Sequence, residues 1–369
     1  MSKPSAAAFP SKESMVLLSQ MLLPPQGTSA AQNPALVSTL RGMSRERFEE
    51  LVALASSNHV IIRAMEVVAA TMRQAGDGER VIRAEEARSA EQARIENALS
   101  FLSRICSAFE EEGLDVTVIK SLDHWPDLGS DLDLYTNTDP VKVGELMGRR
   151  FNAQLAARSW GDRLARKWNF EIPGLPEAVE IHMGRLGQTG EQVAMAASIH
   201  PRSRQVEIGG KTFRVTSVSD RIMISTLQRM YRHFYFRLCD ILDSAGLVEN
   251  GLIDYDDLQR VAQRSDIWEG VATYLVIVSD YVQQYRGTGL DLPRSVRSTA
   301  RFGGDHVYYA KEFLRVPILP QSATPYRQQF SGMLRKGELH STARLGLLPA
   351  LATAALVGMK LTGSDKGIW

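Results

Sequence analysis

The sequence has little cysteine, almost no net charge, no internal repeat and no apolar run long enough to cross a bilayer. Its only cysteines, Cys106 and Cys239, stand far apart without ligand spacing. That excludes a disulfide framework and a zinc ribbon, fits a reducing cytosol, and predicts two buried core thiols. Lys and Arg number 43 against 42 Asp and Glu, a net charge of +1. A polyanion-binding protein usually carries a basic excess, so broad nucleic-acid binding is not expected. Met1 to Lys12 contain no apolar h-region, so no secretory leader is expected, and this segment reads as disordered. The longest apolar stretch, Leu345 to Leu361, is interrupted by Pro349, Gly358 and Lys360. A spanning helix needs ~20 apolar residues. The stretch is therefore expected as a packed helix with Pro349 in its first turn, contact with a membrane surface being the second reading.

What is present is an ordinary globular composition, 44% hydrophobic and 23% charged, long enough for two domains or one core with helical extensions. Ser14 to Leu23 is a short apolar run ended by Pro24-Pro25. Ser44 is placed to cap a helix through Leu54, a second helix should cover about 59–75, and a third about 79–112. The alternating charges of its first half suit a solvated face. At Leu114 the texture changes. Residues 115–119 and 131–136 read as strands, 141–151 as an amphipathic helix, and 166–172 and 178–183 as strands. Residues 205–208 and 212–215 read as a hairpin turning at Gly209-Gly210. Helical spacing resumes after Ser219 and is expected to run unbroken from Ile224 to Leu242. The expected class is α+β: a helical region over 1–94, a small mixed sheet with helices over 95–218, and a helical region over 219–369.

One constellation carries chemistry. It begins Val118-Ile119-Lys120 and continues to Gly129-Ser130-Asp131-Leu132-Asp133-Leu134. Residues i and i+2 of a strand share a face, so Asp131 and Asp133 present two carboxylates together. Held close they repel, which raises the cost of ionising both, and a divalent cation removes that cost. On this argument, losing Asp133 should leave stability unchanged or slightly raised. Gly129 and Ser130 allow close backbone approach and offer donors to a phosphate. The third carboxylate that suits a two-metal phosphoryl-transfer site is Glu180, which shares a strand face with His182. His233, Arg237 and Asp240 fall on one stripe of the expected helix.

These residues resemble the DNA polymerase beta-like nucleotidyltransferase superfamily. More narrowly, Val118-Ile-Lys120, Asp131-Leu-Asp133-Leu134, Val179-Glu180-Ile-His182 and His233 with Arg237-Leu-Cys-Asp240 are similar to a bacterial family of uncharacterised nucleotidyltransferases, over about residues 95–260. The resemblance implies a small mixed nucleotidyltransferase-type sheet, two Mg²⁺ ions with Mn²⁺ as a substitute, and transfer of a nucleoside monophosphate from an NTP. It makes Asp131, Asp133 and Glu180 catalytic metal ligands, with Glu180 also helping to deprotonate the acceptor. It places Lys120, Gly129, Ser130, His182 and Arg237 around the nucleotide. Two positions differ from the superfamily pattern: Ser121-Leu122 replace a Gly pair or Gly-Ser, and Asp127-Leu128 stand where an Arg is frequent. The acceptor, whether small molecule, sugar, peptide or protein, is not specified. A catalytically inactive binding or regulatory module is the competing expectation.

The same residue types have plainer uses. A second acidic motif, Asp254-Tyr-Asp256-Asp257, is expected to cap a helix, with Asp256 in the capping role. Arg163, Arg166 and Lys167 suit either a triphosphate or solvent. Trp125, Trp160 and Trp168 are expected in the core or a pocket wall, Trp125 with a face free to stack a base.

Overall fold

In the computed structural model of the chain, the residues described are 11–317, 323–351, 353 and 354. The chain opens with helices α1 (Lys12–Leu22), α2 (Pro34–Arg41), α3 (Arg45–Ser57) and α4 (Ile61–Gln74), followed by the long α5 (Gly78–Glu111). Ser11, Asn33, Ser44 and Asp77 each cap the helix that follows by accepting a backbone N–H. The second half of α5 buries Leu99, Leu102, Ile105 and Phe109, worth ~1.5–3 kcal/mol each. Its first half is laced with short-range pairs such as Glu79–Arg83 and Glu85–Arg88.

The sheet elements follow: β1 (Thr117–Val118), β2 (Asp131–Thr136), α6 (Pro140–Phe151), β3 (Gln154–Leu155), α7 (Trp160–Ala165), β4 (Lys167–Ile172), β5 (Leu175–Met183), α8 (Val193–Ile199), β6 (Arg204–Ile208) and β7 (Lys211–Val215). The strands form a seven-stranded sheet in the order β3-β4-β5-β2-β1-β7-β6. It is mixed, because β2 runs parallel to β5 and β1 parallel to β7, while the other pairs are antiparallel. Leu132, Leu134, Val179 and Ile181 form one core with Leu99 and Leu102 of α5 and Val143 and Leu146 of α6. Alternation therefore sends Asp131, Asp133, Glu180 and His182 to the opposite face. The class is α+β with helical flanks, as the alternation of textures implies.

Helices return with α9 (Val218–Thr226), a π-helical turn (Leu227–His233), β8 (Tyr235–Phe236), α10 (Leu238–Glu249), α11 (Tyr255–Arg264), α12 (Trp268–Arg286) and α13 (Arg294–Thr299). Of two short strands, β10 (Phe313–Arg315) pairs with β8 on one side and with β9 (Tyr308–Ala310) on the other, and α14 (Ala323–Arg335) and α15 (Leu339–Gly346) follow. The N-terminal and C-terminal helices share one hydrophobic core, in which Leu18, Leu51 and Met65 join Ile241, Leu275 and Val278. Ser19 Oγ and Tyr281 Oη, 2.6 Å apart, tie α1 to α12.

Three expectations change. The helix read across residues 224–242 is broken, because Phe234 takes a left-handed φ of 54° and Phe236 pairs with Leu314 in a ladder. His233, Arg237 and Asp240 therefore share no helical stripe: Arg237 is the residue before α10, and its N–H donates to Asp240 Oδ2 at 2.7 Å. The strand read over 115–119 shortens to two residues because Lys120, with φ 63°, turns the chain away. In the second acidic motif the cap is Asp254, whose Oδ1 accepts from both Asp256 and Asp257 N–H. In the apolar tail, Pro349 sits in the first helical turn after Leu347, and Leu345 is buried, but Leu347 is 46% exposed. Most of the rest of that stretch, 352 and 355–361, and the segment 1–10 lie outside the described residues. Among the described residues no helix is long and apolar enough to cross a membrane.

Candidate metal and phosphate site on strands β2 and β5

The parallel register of β2 and β5 sets Asp133 directly beside Glu180 and Asp131 beside Ala178. Asp133, Glu180 and His182 offer ligand atoms that all lie within 4.8 Å of one another. His182 Nε2 is 2.8 Å from Glu180 Oε1 and 3.9 Å from Asp133 Oδ1. Asp131 stands at the exposed end of the same face, outside this tight group, with Ser130 Oγ 3.4 Å from its Oδ2. Gly129 and Ser130 form the turn that leads into the strand, and Gly129 lies close to His59.

Two ammonium groups enter the carboxylate cluster. Lys120 Nζ pairs with Asp133 and lies 3.5 Å from Glu180 Oε1. Lys167 Nζ lies 2.9 Å from Glu180 Oε2 and 2.8 Å from Asp162 Oδ1. The repulsion expected of the carboxylates is thereby offset within the protein. Losing Asp133 would leave the Lys120 ammonium with Glu180 at 3.5 Å as its remaining carboxylate, so this geometry favours a stability cost over the expected indifference. Burial opposes the charge on Glu180, but Lys120, the His182 hydrogen bond and Lys167 outweigh it and hold the carboxyl well below its ordinary value. Asp131 shifts the other way: burial of its surroundings, then Asp133 and Glu180, push it up. Lys120 loses charge stability to burial but regains more from Asp133 and Glu180, so its ammonium is held above the usual lysine range.

Ser121 positions the pair. Its Oγ accepts the Asp133 N–H at 2.6 Å and donates to the Asp131 carbonyl at 3.2 Å, so it ties down the backbone of both aspartates. The signal was the departure at 121 itself. Asp162, at the start of α7, was not marked by the sequence, because nothing local shows which strand faces it. Above the carboxylates, a cavity of about 40 Å³ is bounded by Lys120, His182, Gln188 and Arg232.

Other sequence-marked residues lie elsewhere. The Arg237 guanidinium stacks over Tyr235 and Phe313, 5.9 and 5.7 Å from their ring centres, rather than touching the carboxylates. Arg163 stacks on Trp160, which is 63% exposed and so is neither core nor pocket wall. Trp168 packs against Phe170 and Gly144. Trp125 is half exposed beside Gly209, at the hairpin turn. Both cysteines are buried and free, as expected.

A second ligand-rich group, His124, Cys239 and Asp243, lies within reach of a single ion. Its charges are already balanced. Asp243 accepts from His124 Nδ1 at 2.6 Å and pairs with Arg63 at 2.8 Å, and Arg63 in turn holds the fully buried Asp127 at 2.7 Å. Arg221 pairs with Asp123 at 3.3 Å. These partners are 60 to 180 residues apart, and the network clamps α4, the 121–124 turn, α9 and α10 together. The Asp127 that departs from the superfamily pattern serves this clamp.

Comparison with family models, with curated proteins and with solved structures finds no match to this chain, so the functional reading rests on the geometry above.

Proposed function

We propose that the protein is a divalent-metal-dependent nucleotidyltransferase that moves a nucleoside monophosphate, AMP from ATP, onto a hydroxyl or phosphate of an acceptor. The observation that carries the reading is the register of two parallel strands. It sets Asp133 against Glu180, with Asp131 on the same face and a Gly-Ser turn at the strand's entrance. Three carboxylate side chains on one surface are the donor set that hard cations such as Mg²⁺ and Mn²⁺ take. Bound there, the cations would align the α-phosphate and neutralise the charge that develops on it. Asp131, Asp133 and Glu180 would hold them.

The chain's own groups divide the remaining work. Lys120 and Lys167 keep Glu180 ionised before any ligand arrives, and Lys120 pairs with Asp133. Ser121 holds the strand backbone still, and Gly129 and Ser130 give N–H and hydroxyl donors to the phosphates. Glu180, stabilised as an anion, is a weak base. The acceptor oxygen bonds to the α-phosphorus, its proton passes to solvent, and pyrophosphate leaves. The testing experiment supplies ATP labelled at the α- or the γ-phosphate with Mg²⁺ and a small-molecule extract. Label transferred from the α-position alone, with pyrophosphate released, supports the reading. Transfer from the γ-position, or none, opposes it.

A second reading has its own observation. Because two ammonium groups already neutralise the carboxylates, the same site also suits a catalytically inactive binding or regulatory module. ATP binding that is indifferent to Mg²⁺ favours that module.

A further inference from the structure

The proposed transfer needs a place for the acceptor, and a pocket of about 310 Å³ lies beside the Gly129-Ser130 turn, next to Asp131. That is the lower end of the range of small-molecule sites. Its walls include His59, Glu91, Arg94 and Glu177. Arg94 spans the two carboxylates, pairing with Glu91 at 2.6 Å and with Glu177 Oε1. The other oxygen, Glu177 Oε2, is buried and has no hydrogen-bond partner among the described residues, although Glu177 is only 4% exposed. His59 Nδ1 is in the same condition on a side chain 7% exposed. A buried, unpartnered polar atom costs ~1–3 kcal/mol, so two such atoms on residues that line one pocket call for an explanation.

His59 is also placed at a conformational cost. Helix α3 ends in a Schellman motif, in which Val60 N–H bonds to Ala55 O at 2.9 Å and His59 N–H to Ser56 O at 3.0 Å. His59 itself takes a left-handed φ of 53°, where glycine is the ordinary choice. A histidine there brings an imidazole beside Gly129, in van der Waals contact with that turn. Outliers of this kind gather where a ligand is held.

Charge decides what the ligand is. Glu91 and Glu177 against one guanidinium repel a phosphate, so the nucleotide meets this pocket only at its Gly129-Ser130 edge, and the part lined by His59, Glu91, Arg94 and Glu177 takes another ligand. A cation is opposed by Arg94 in the wall and by the positive field of Arg237 and Arg229 at His59. A neutral molecule rich in hydroxyl donors satisfies Glu177 Oε2 and His59 Nδ1, and can accept from Ser130. We infer that this pocket is the acceptor subsite and that it takes a neutral polyhydroxyl compound, a sugar or cyclic polyol. The role as acceptor site rests on the nucleotidyltransferase reading; the polyol site does not.

The test is saturation-transfer NMR on the full chain without nucleotide or metal, using D-glucose and myo-inositol as probes and cyclohexanol as the hydrocarbon control. Two variants accompany it. His59→Gly places the preferred residue at the left-handed position, and Glu177→Gln keeps an oxygen for Arg94 while replacing the orphan acceptor by a donor. Binding of a polyol but not cyclohexanol, weakened at least tenfold in both variants at an undiminished melting temperature, supports the inference. Should Glu177→Gln lower the melting temperature, His59→Gly alone decides. No polyol signal, an equal signal from cyclohexanol, or unchanged binding in the deciding variant overturns it. Mn²⁺-ATP binding measured on the same samples separates the two claims: polyol binding without ATP binding leaves the pocket and removes the transferase.

Discussion

Replacing Lys120 by Met removes an ammonium from the carboxylate cluster and keeps most of the side-chain bulk. Lys120, Asp133 and Glu180 are 14, 13 and 12% exposed at the side chain, so the pair they form is largely buried. After the change Glu180 keeps Lys167 at 2.9 Å, whereas Asp133 keeps only His182 Nε2 at 3.9 Å. The loss therefore falls on Asp133. Breaking a buried pair from one side costs about 3–5 kcal/mol, and Lys120→Met should sit near 3 because a fraction of the site is wet. A divalent cation can then take the vacated charge. At 100 times its dissociation constant it restores about 2.7 kcal/mol. In the unaltered protein the same cation must first displace the ammonium and stabilises less. Thermal unfolding of both proteins, with and without Mn²⁺, reads all four states. The reasoning fails if Lys120→Met is as stable as the parent, or if Mn²⁺ raises both melting temperatures equally.

Ser121→Ala leaves the Asp133 N–H without its acceptor and should cost about 1–3 kcal/mol by denaturant unfolding, with metal affinity reduced as well. Asp254→Ala should cost about 0.5–2 kcal/mol as a lost helix cap, while Asp256→Ala, whose carboxylate caps nothing, should fall near zero. Arg202 holds Asp257 at 2.6 Å, and this hydrogen bond, with Ser219, lowers the Asp257 carboxyl to about 2. A depressed carboxyl contributes stability that is fully present above its unfolded value and is lost as pH falls through about 2. Solvent screening reduces that contribution to about 1 kcal/mol. Arg202→Ala should therefore flatten the acid limb of the stability profile below pH 4, as measured by urea midpoints.

Local rules carried the sequence reading a long way. Ser44 announced a helix start because capping is decided within four residues, and Gly209-Gly210 announced the hairpin for the same reason. Alternation was enough to put Asp131 and Asp133 on one face and Glu180 and His182 on one face. That the two faces are the same face depends on β5 inserting beside β2 in parallel, which no local pattern encodes. The helix expected through residues 234–236 failed where periodicity is ambiguous: Phe234, Phe236 and Leu238 fit a spacing of two as well as a helical stripe, and Leu314 decided the matter from 78 residues away. The lysines were the larger gap. The sequence places Lys120 only beside a nucleotide and Lys167 with a triphosphate or solvent, yet burial and the carboxylates hold both inside the cluster. Likewise Arg63, His124, Asp127 and Asp243 form one clamp from three distant segments. Long-range charge pairing follows from the completed fold.

The central claim is that Asp133 and Glu180 hold a divalent cation on which nucleotide binding depends. The direct measurement is an electron paramagnetic resonance titration of Mn²⁺, with and without ATP, on the full chain and on Asp133→Asn and Glu180→Gln. The account predicts that Mn²⁺ binds, that ATP tightens it, and that either substitution weakens both by tenfold or more. Mn²⁺ and ATP binding that is absent from the parent, or unchanged in the two variants, would contradict it.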